Sequence, residues 1–261
     1  MPKQKKSRRP RPRSSIWLAV AVVLVSAVVG LTWWKKTGEK NVISLAAPSV
    51  LTNAPAVAAT NDFDMAKFSG WLTNESNLDE LLGSGSRLLE DGRAGLAFLC
   101  FHRATELKPE HEEAWFNLGA ALVRLGELPE AEYAYRRAIS NFTEYAEARN
   151  NLGNLLTRQK RYAEATEQFN AVIEQTPDNA AAQNNLGRVL AEQGNAAAAL
   201  ERFTEAARLD TNYLEARFNL GAAHLTMGQT NEAVVAFRET LRLRPDFAPA
   251  LNALAKLRKQ P

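Results

Sequence analysis

Four asparagines recur at intervals of 34 residues in this chain of 261 residues, and their amides have the chemistry to bind another polypeptide. They are Asn117, Asn151, Asn185 and Asn219. Each amide offers one acceptor and a donor group, as a peptide backbone does, so a row of them can pair with an extended peptide without reading its side chains. The alternative is structural, with each amide capping or solvating its own helix.

Further candidates lie at fixed offsets from these asparagines. The residue immediately before each one is, in order, Phe116, Asn150, Asn184 and Phe218. Three residues after two of them come Asn154 and Arg188, and seven residues after two of them come Arg124 and Arg158. The phenylalanines can anchor apolar side chains and the arginines can pair with carboxylates. A solvated surface or packing between units is the alternative for each.

The sequence contains no pattern that predicts an enzyme. His102, His111 and His224 are scattered, Cys100 is the single cysteine, and no glycine-rich phosphate loop or spaced set of metal ligands is present. We expect Cys100 to be a buried apolar residue rather than a nucleophile. We therefore predict no catalytic residue, no cofactor, no metal and no small-molecule substrate.

The same 34-residue period organises the small and aromatic residues that must position these groups. Glycine recurs at Gly85, Gly119, Gly153, Gly187 and Gly221, alanine at Ala97, Ala131, Ala165, Ala199 and Ala233, and an aromatic ring at Phe101, Tyr135, Phe169, Phe203 and Phe237. Repetition with a period of about 20 to 50 residues is typical of solenoid proteins.

Each 34-residue unit is predicted to be a helical hairpin. Counting from the first residue of a unit, apolar or small residues at positions 4, 7, 8 and 11 share one helix face, and those at 20, 24 and 27 share another. Glycine at position 15 ends the first helix, and proline at position 32 ends the second in three units. Glycine at position 8 and alanine at position 20 let the helices approach, and the aromatic residue at position 24 fills the gap toward the next unit. A single unit cannot bury its apolar face, so the units must stack.

These residues resemble the tetratricopeptide repeat, most clearly in Trp115, Leu118, Gly119, Ala131, Tyr135 and Ala138. The resemblance covers residues 78–247 and implies an all-α, right-handed superhelical solenoid with five repeats at 78–111, 112–145, 146–179, 180–213 and 214–247, closed by a C-terminal capping helix within 248–261. It also implies that positions 2, 5, 6, 9 and 13 line a concave groove. The asparagine row resembles the asparagine ladder of the O-GlcNAc transferase repeats.

Some units depart from the family pattern. Ser84 replaces leucine in the first unit and Lys160 replaces glycine at position 15 of the third. Position 4 holds Arg149, Gln183 or Arg217 instead of an aromatic residue in the last three units. The lysines of the clamp that binds chaperone carboxylates are replaced by Leu82, Phe116 and Ala181. We therefore do not expect binding to chaperone tails.

An apolar segment near the amino end predicts a single transmembrane helix. Residues 16–34 carry no charge and are bounded by Trp17, Trp33 and Trp34, and as a helix they span about 28 Å, close to the thickness of a bilayer core. A cleaved secretory signal and a buried helix of a soluble domain are the alternatives. Residues 1–15 are predicted to be a basic tail, and residues 35–77 a linker with a short helix at 62–72.

The charge distribution predicts the topology and excludes one class of partner. The chain has a net charge of +3, but residues 1–40 carry +9, so the remainder is acidic at −6. Binding of nucleic acid by the repeats is therefore not expected. The basic tail should stay in the cytoplasm, with the repeats on the exported side, which is the periplasm in a bacterium. The alternative is a signal-anchored protein of an organelle, whose repeats would face the cytosol.

We therefore predict a membrane-anchored scaffold, adaptor or assembly factor that binds a partner protein, as an extended peptide or a helix, in its concave groove. The alternative is a structural subunit of a membrane complex that docks through its convex face. Homo-oligomers are compatible with either, and Ser26 and Gly30 form a pair of small residues suited to a helix dimer.

Overall fold

The computed structural model describes Leu72 and residues 77–258. These residues contain eleven helices and no strand, which confirms the all-α prediction. The chain divides into two compact units between Ala134 and Tyr135, within the fourth helix. The predicted tail, the transmembrane helix and most of the linker lie outside the described residues. Of the linker, the structure describes Leu72, which is helical and buried, and Asn77, which is exposed. Within the described part, no helix is long and apolar enough to cross a membrane.

The first unit contains three complete helices and the beginning of a fourth. They are α1 (Leu78–Glu90), α2 (Ala94–Leu107), α3 (Glu112–Leu125) and the first half of α4 (Leu128–Asn141). The helices α1 and α3 begin at side-chain caps, because Asn77 accepts a hydrogen bond from the Asp79 amide and His111 from the Ala114 amide. Helix α2 packs against both α1 and α3. The core of the first unit includes Leu81, Phe101, Leu118 and Leu122.

The second unit continues the alternation of helices to the end of the described chain. It contains the end of α4, then α5 (Ala146–Arg158), α6 (Tyr162–Gln175), α7 (Ala180–Glu192), α8 (Ala196–Leu209), α9 (Leu214–Thr226), α10 (Thr230–Leu243) and α11 (Ala248–Leu257). Helices α2, α6 and α10 end two residues before Pro109, Pro177 and Pro245, because the residue that precedes a proline disfavours the helical conformation.

The turn between the paired helices needs one residue in the left-handed region. Gly92, Gly126, Gly194 and Gly228 all have positive φ angles at this turn, as predicted from the glycine at position 15. In the third unit the same turn is kept without glycine, since Lys160 has a φ of 61°. The fold therefore imposes a left-handed conformation on a residue that carries a Cβ.

The glycine at position 8 makes room for an aromatic ring. A Cβ built on Gly153 would lie 2.6 Å from the Phe169 ring, and one on Gly221 would lie 2.6 Å from the Phe237 ring. The rings also extend to the next helix, since Phe237 clusters with Ala250. The aromatic residue thus fills the gap toward the following helix, as predicted, but its first contact is the glycine of its own hairpin.

In three of the repeats, the residue at position 4 donates a hydrogen bond to a backbone carbonyl. The indole of Trp115 donates to the carbonyl of Pro109 at 2.7 Å. Arg149 donates to the carbonyl of Thr143 at 3.1 Å, and Arg217 donates to that of Thr211 at 2.7 Å. The two arginines therefore replace the tryptophan N–H, and each binds the carbonyl six residues earlier.

Candidate functional site

In the first unit, the candidate residues lie on α3. Phe116 and Asn117 are half-buried, and Arg124 near the end of the helix is exposed. The Asn117 amide lies 3.5 Å from the carboxylate of Glu113, one turn earlier, which is at the limit of a hydrogen bond. Asn117 therefore has a partner on its own helix and remains reachable from solvent.

In the second unit, three helices bring the remaining candidates together. Helix α7 packs against α5 on one side and α9 on the other. Because the three helices are repeats in one register, the same positions of each lie alongside one another. The candidates on these helices are Asn150, Asn151, Asn154 and Arg158 on α5, Asn184, Asn185 and Arg188 on α7, and Phe218 and Asn219 on α9.

A chain of side-chain hydrogen bonds joins α7 to α9. Asn219 donates to the amide oxygen of Asn184 at 2.9 Å, and Asn184 donates to the Tyr213 hydroxyl at 3.4 Å. Burial is the main cause that raises the pKa of the Tyr213 phenol above its usual value. Asn184 and Asn185 are only 3% and 8% exposed. Asn184, Asn219 and Tyr213 thus form a hydrogen-bonded cluster, here called the polar floor, rather than a freely exposed row.

Asn151 is bound to the one tyrosine among the aromatic residues at position 24. Its side chain is hydrogen-bonded to Tyr135, and burial raises the pKa of that phenol to about 12. The ring of Tyr135 is 2% exposed. The asparagine at position 6 of this repeat therefore satisfies a buried hydroxyl that the phenylalanines of the other repeats lack.

Two asparagines of α5 have unused hydrogen-bonding capacity. The Oδ1 atoms of Asn150 and Asn154 are buried and have no hydrogen-bond partner in the part of the protein that the structure describes. Both side chains are half-buried, so the remainder of each reaches the surface. The two residues are four positions apart and therefore lie on one face of α5.

The arginines of this face have no ion pair among the described residues. Arg158 is exposed and Arg188 is half-buried, and neither forms any of the ion pairs of the second unit. The carboxylate one turn beyond Arg188 belongs to Glu192, which accepts a hydrogen bond from Tyr162 at 3.1 Å. Arg188 lies close enough to Tyr213 to lower the pKa of that phenol.

Phe218 is packed against other rings. Its centroid lies 5.6 Å from that of Phe237 and 5.4 Å from that of Phe247, within the range of favourable aromatic pairs. The structure thus places this candidate anchor in the cluster at the end of the second unit, with part of the ring at the surface.

Sequence reasoning missed the tyrosines of this site. Tyr135 and Tyr213 supply the hydroxyls that Asn151 and Asn184 bind. The signal for Tyr135 was available, because it is the one hydroxyl-bearing residue in a register of phenylalanines. Tyr213 lies between repeats, at the last position of its unit, and only the packing of α7 on α9 shows its contact.

Two titratable residues outside the groove, Cys100 and His102, are buried. Cys100 is fully buried, and this raises the pKa of its thiol to about 12, so it is not poised as a nucleophile. Burial lowers the pKa of His102. Within residues 77–258, no group of three histidine, cysteine, aspartate or glutamate side chains is placed to hold a metal ion.

Solved structures with the same helical architecture come from several proteins. The chain resembles pilF from Pseudomonas aeruginosa with a TM-score of 0.62 and 23% identity, covering 67% of this chain and 79% of that one. It resembles MamA from Desulfovibrio magneticus RS-1 with a TM-score of 0.57 and 19% identity, covering 65% and 96%. YrrB, described as a TPR protein with an unusual peptide-binding site, matches with a TM-score of 0.55 and 20% identity, covering 72% and 97%. At these identities the likeness shows the fold alone.

Sequence comparison gives the family. A segment of 32 residues is 53% identical to tetratricopeptide repeat-containing protein trd-1 of Caenorhabditis elegans, which is 12% of this chain and 4% of that protein. Three family models described as tetratricopeptide repeat match residues 82–146, 144–212 and 190–257. Together with the helical hairpins, in which the glycine at position 8 faces the aromatic ring at position 24, these matches show that the chain belongs to the tetratricopeptide repeat family.

Proposed function

We propose that this protein is a membrane-anchored scaffold or assembly factor whose groove positions bind an extended segment of a partner protein. The observation that carries the proposal is the pair of buried, unpaired amide oxygens of Asn150 and Asn154. A buried polar atom without a partner costs about 1 to 3 kcal/mol. Alanine at either position would avoid this cost, so the asparagines are better explained by a ligand than by stability.

The spacing of these two amides suits an extended backbone. Residues four apart on a helix are about 6 Å apart along its axis. Alternate N–H groups of an extended strand are about 6.6 Å apart, at roughly 3.3 Å per residue. Rotation of each amide about its terminal side-chain bond exchanges the positions of its oxygen and its NH2 group, so each asparagine can offer a ligand backbone either an acceptor or a donor.

The fixed polar floor on the neighbouring helices supports the same function. Asn184 is held from both sides by Asn219 and Tyr213, so little side-chain entropy remains to be lost at this point when a ligand binds. A peptide-binding site is named for YrrB, a protein of the same fold.

A crosslinking pull-down from native membranes tests the proposal. The full chain is compared with the double variant Asn150→Ala/Asn154→Ala, and with Asn170→Ala as a control, because Asn170 is an exposed asparagine on α6, outside the groove positions. We expect the double variant to lose a specific partner while its thermal midpoint stays the same or rises. The control should retain that partner.

Two results would contradict the groove assignment. Retention of the partner by the double variant would remove the amides of α5 from the contact. A large fall in its thermal midpoint would show that the asparagines act in folding.

The alternative is a structural subunit that docks through its convex face. Val235 on α10 is 60% exposed, and an exposed aliphatic residue on the second helix of a repeat suits such a contact. Val235→Asp, with no change in the groove, would remove the partner only under this alternative.

The proposed topology has the amino end in the cytoplasm, residues 16–34 across the membrane, and the repeats on the exported side. It rests on the apolar segment and on the excess of basic residues before it. Reporter fusions after residues 15 and 77 test this arrangement. We expect the first fusion to report the cytoplasm and the second the opposite side.

A further inference from the structure

We propose that the groove of the second unit selects an extended segment that carries an acidic side chain, and that Arg188 pairs with its carboxylate. This inference rests on the proposed function, because it specifies the ligand of the same groove. It starts from the position of Arg188 on α7, one helical turn beyond Asn184. Residues four apart share a helix face, so the guanidinium lies beside the polar floor formed by Asn184, Asn219 and Tyr213.

Arg188 differs from the other half-buried arginines of the second unit, because the described residues give it neither an ion pair nor a hydrogen bond. Arg161, Arg208 and Arg242 each pair with a glutamate three residues away on the chain, at 2.6 Å to 3.0 Å. Arg188 has no such pair among the described residues. It is half-buried, so its charge has lost part of its hydration without gaining an ion pair.

The surrounding groups leave this charge available. Glu192, the acid nearest along the helix, accepts a hydrogen bond from Tyr162. Glu215 and Asp210 both act electrostatically on Tyr213, but neither forms an ion pair with Arg188. Arg158 on the adjacent α5 adds a second cation without an ion pair on the same face. Both arginines lie in the part of the chain after residue 40, whose net charge is −6.

A carboxylate on the ligand would supply the ion pair that Arg188 lacks. The planar guanidinium binds a carboxylate through two parallel hydrogen bonds, and such charge-assisted bonds are about twice as strong as neutral ones. The unpaired amides of Asn150 and Asn154 would hold the ligand backbone while Arg188 reads one side chain. Backbone binding by the amides and charge selection by Arg188 are thus separate properties of one groove.

The test is selection from a phage library of random linear peptides, fused at their carboxyl ends so that only side chains supply carboxylates. The full chain in detergent micelles is compared with Arg188→Glu, Arg188→Gln and Arg238→Glu. The last is a control with the same change in net charge, because Arg238 lies on α10 outside the groove positions and also has no ion pair among the described residues. Thermal melts verify that each variant is folded.

We expect the unchanged protein to enrich peptides with aspartate or glutamate at one position by about tenfold. Arg188→Gln should lose this preference, Arg188→Glu should lose or reverse it, and Arg238→Glu should keep it. Arg188→Gln keeps the test valid if Arg188→Glu fails to fold.

Two other outcomes overturn the inference, and they can be told apart. Peptides enriched without acidic preference, or with a preference that both Arg188 variants keep, would remove Arg188 as the selecting residue while leaving the groove as a peptide site. No enrichment of any peptide by the unchanged protein would contradict the proposed function as well.

Discussion

The seam inside each hairpin and the groove face on its first helix repeat with the same period but differ in chemistry. At the seam, Gly153, Gly187 and Gly221 each face a phenylalanine ring at nearly the same distance. At the groove, Asn151 binds a buried phenol, Asn219 binds another asparagine, and Asn117 lies near a glutamate of its own helix. The seam repeats an environment, whereas the groove repeats only a residue type.

The difference follows from the forces involved. Seam contacts are steric, and shape is fixed by the residues of one hairpin. Groove contacts are hydrogen bonds, two of them between neighbouring repeats, and the partner of an amide changes whenever an adjacent side chain changes. The polar residues at groove positions, such as Asn150 and Asn154, can therefore differ between repeats without altering the fold.

The largest effect is expected at the seam. Gly153→Ala places a methyl group 2.6 Å from the ring of Phe169, and this overpacking should destabilise the protein by about 3 kcal/mol. Gly83→Ala is the matched control, since nothing lies within 4 Å of its added methyl group, and it should stabilise by about 0.5 to 1 kcal/mol through helix propensity. Urea unfolding measures both. Similar effects at the two sites would contradict the steric account of the seam.

The tyrosine that joins seam to groove should produce a fall in stability at alkaline pH. Burial raises the pKa of Tyr135 to about 12 from a usual value of 10, so between these values the unfolded chain has released a proton that the native protein retains. The contribution of the Tyr135 phenol to the free energy of unfolding is therefore fully present below pH 10, and it falls by about 2 kcal/mol as the pH rises toward 12. Tyr135→Phe should flatten this part of the curve of unfolding free energy against pH. An equally steep curve for the variant would assign the effect to other groups, Cys100 among them.

The hydrogen bond between Asn151 and Tyr135 should contribute less. Asn151→Ala leaves the buried hydroxyl without this partner and should cost about 1.5 kcal/mol. In a Tyr135→Phe background the same change should cost clearly less, because no hydroxyl remains to be satisfied. A double-mutant cycle measures the coupling. Equal costs in the two backgrounds would show that Asn151 acts independently of the phenol.

The smallest effect is expected at the turn of the third unit. Lys160 has a φ of 61°, which costs a residue with a Cβ about 1 kcal/mol. Lys160→Gly should therefore raise the free energy of unfolding by about that amount, and the reverse change Gly194→Lys should lower it similarly. Thermal melts of the two variants should move in opposite directions. Stabilisation by both would indicate that surface charge, rather than backbone strain, dominates at this turn.

The helices were predictable because their signals are local. The glycine at the turn, the proline after the second helix and the apolar spacing all lie within one unit, so Gly126 and Pro177 could be interpreted from the sequence alone. The terminal helix was predicted within residues 248–261 and is observed at Ala248–Leu257. The lysine at position 160 was recognised as a departure, but the left-handed backbone that it keeps was not.

The environments of the groove residues were not predictable in the same way. Asn184 and Asn219 are 35 residues apart, and their contact depends on the packing of α7 against α9. The arginines at position 4 illustrate the same point, since Arg149 and Arg217 replace tryptophan by donating to the same backbone carbonyl position. A family pattern based on residue size does not show that arginine and tryptophan supply the same hydrogen bond at position 4.

The sequence by itself determined the family, the repeat length, the position of nearly every helix and the face on which the polar residues lie. It did so because helix formation and hairpin packing depend on short-range spacing. The tertiary structure decided which asparagines are bound within the protein and which retain hydrogen-bonding capacity. The hydrogen bonds of Asn219 to Asn184 and of Asn151 to Tyr135 join residues of neighbouring repeats, and their geometry exists only once the repeats are stacked.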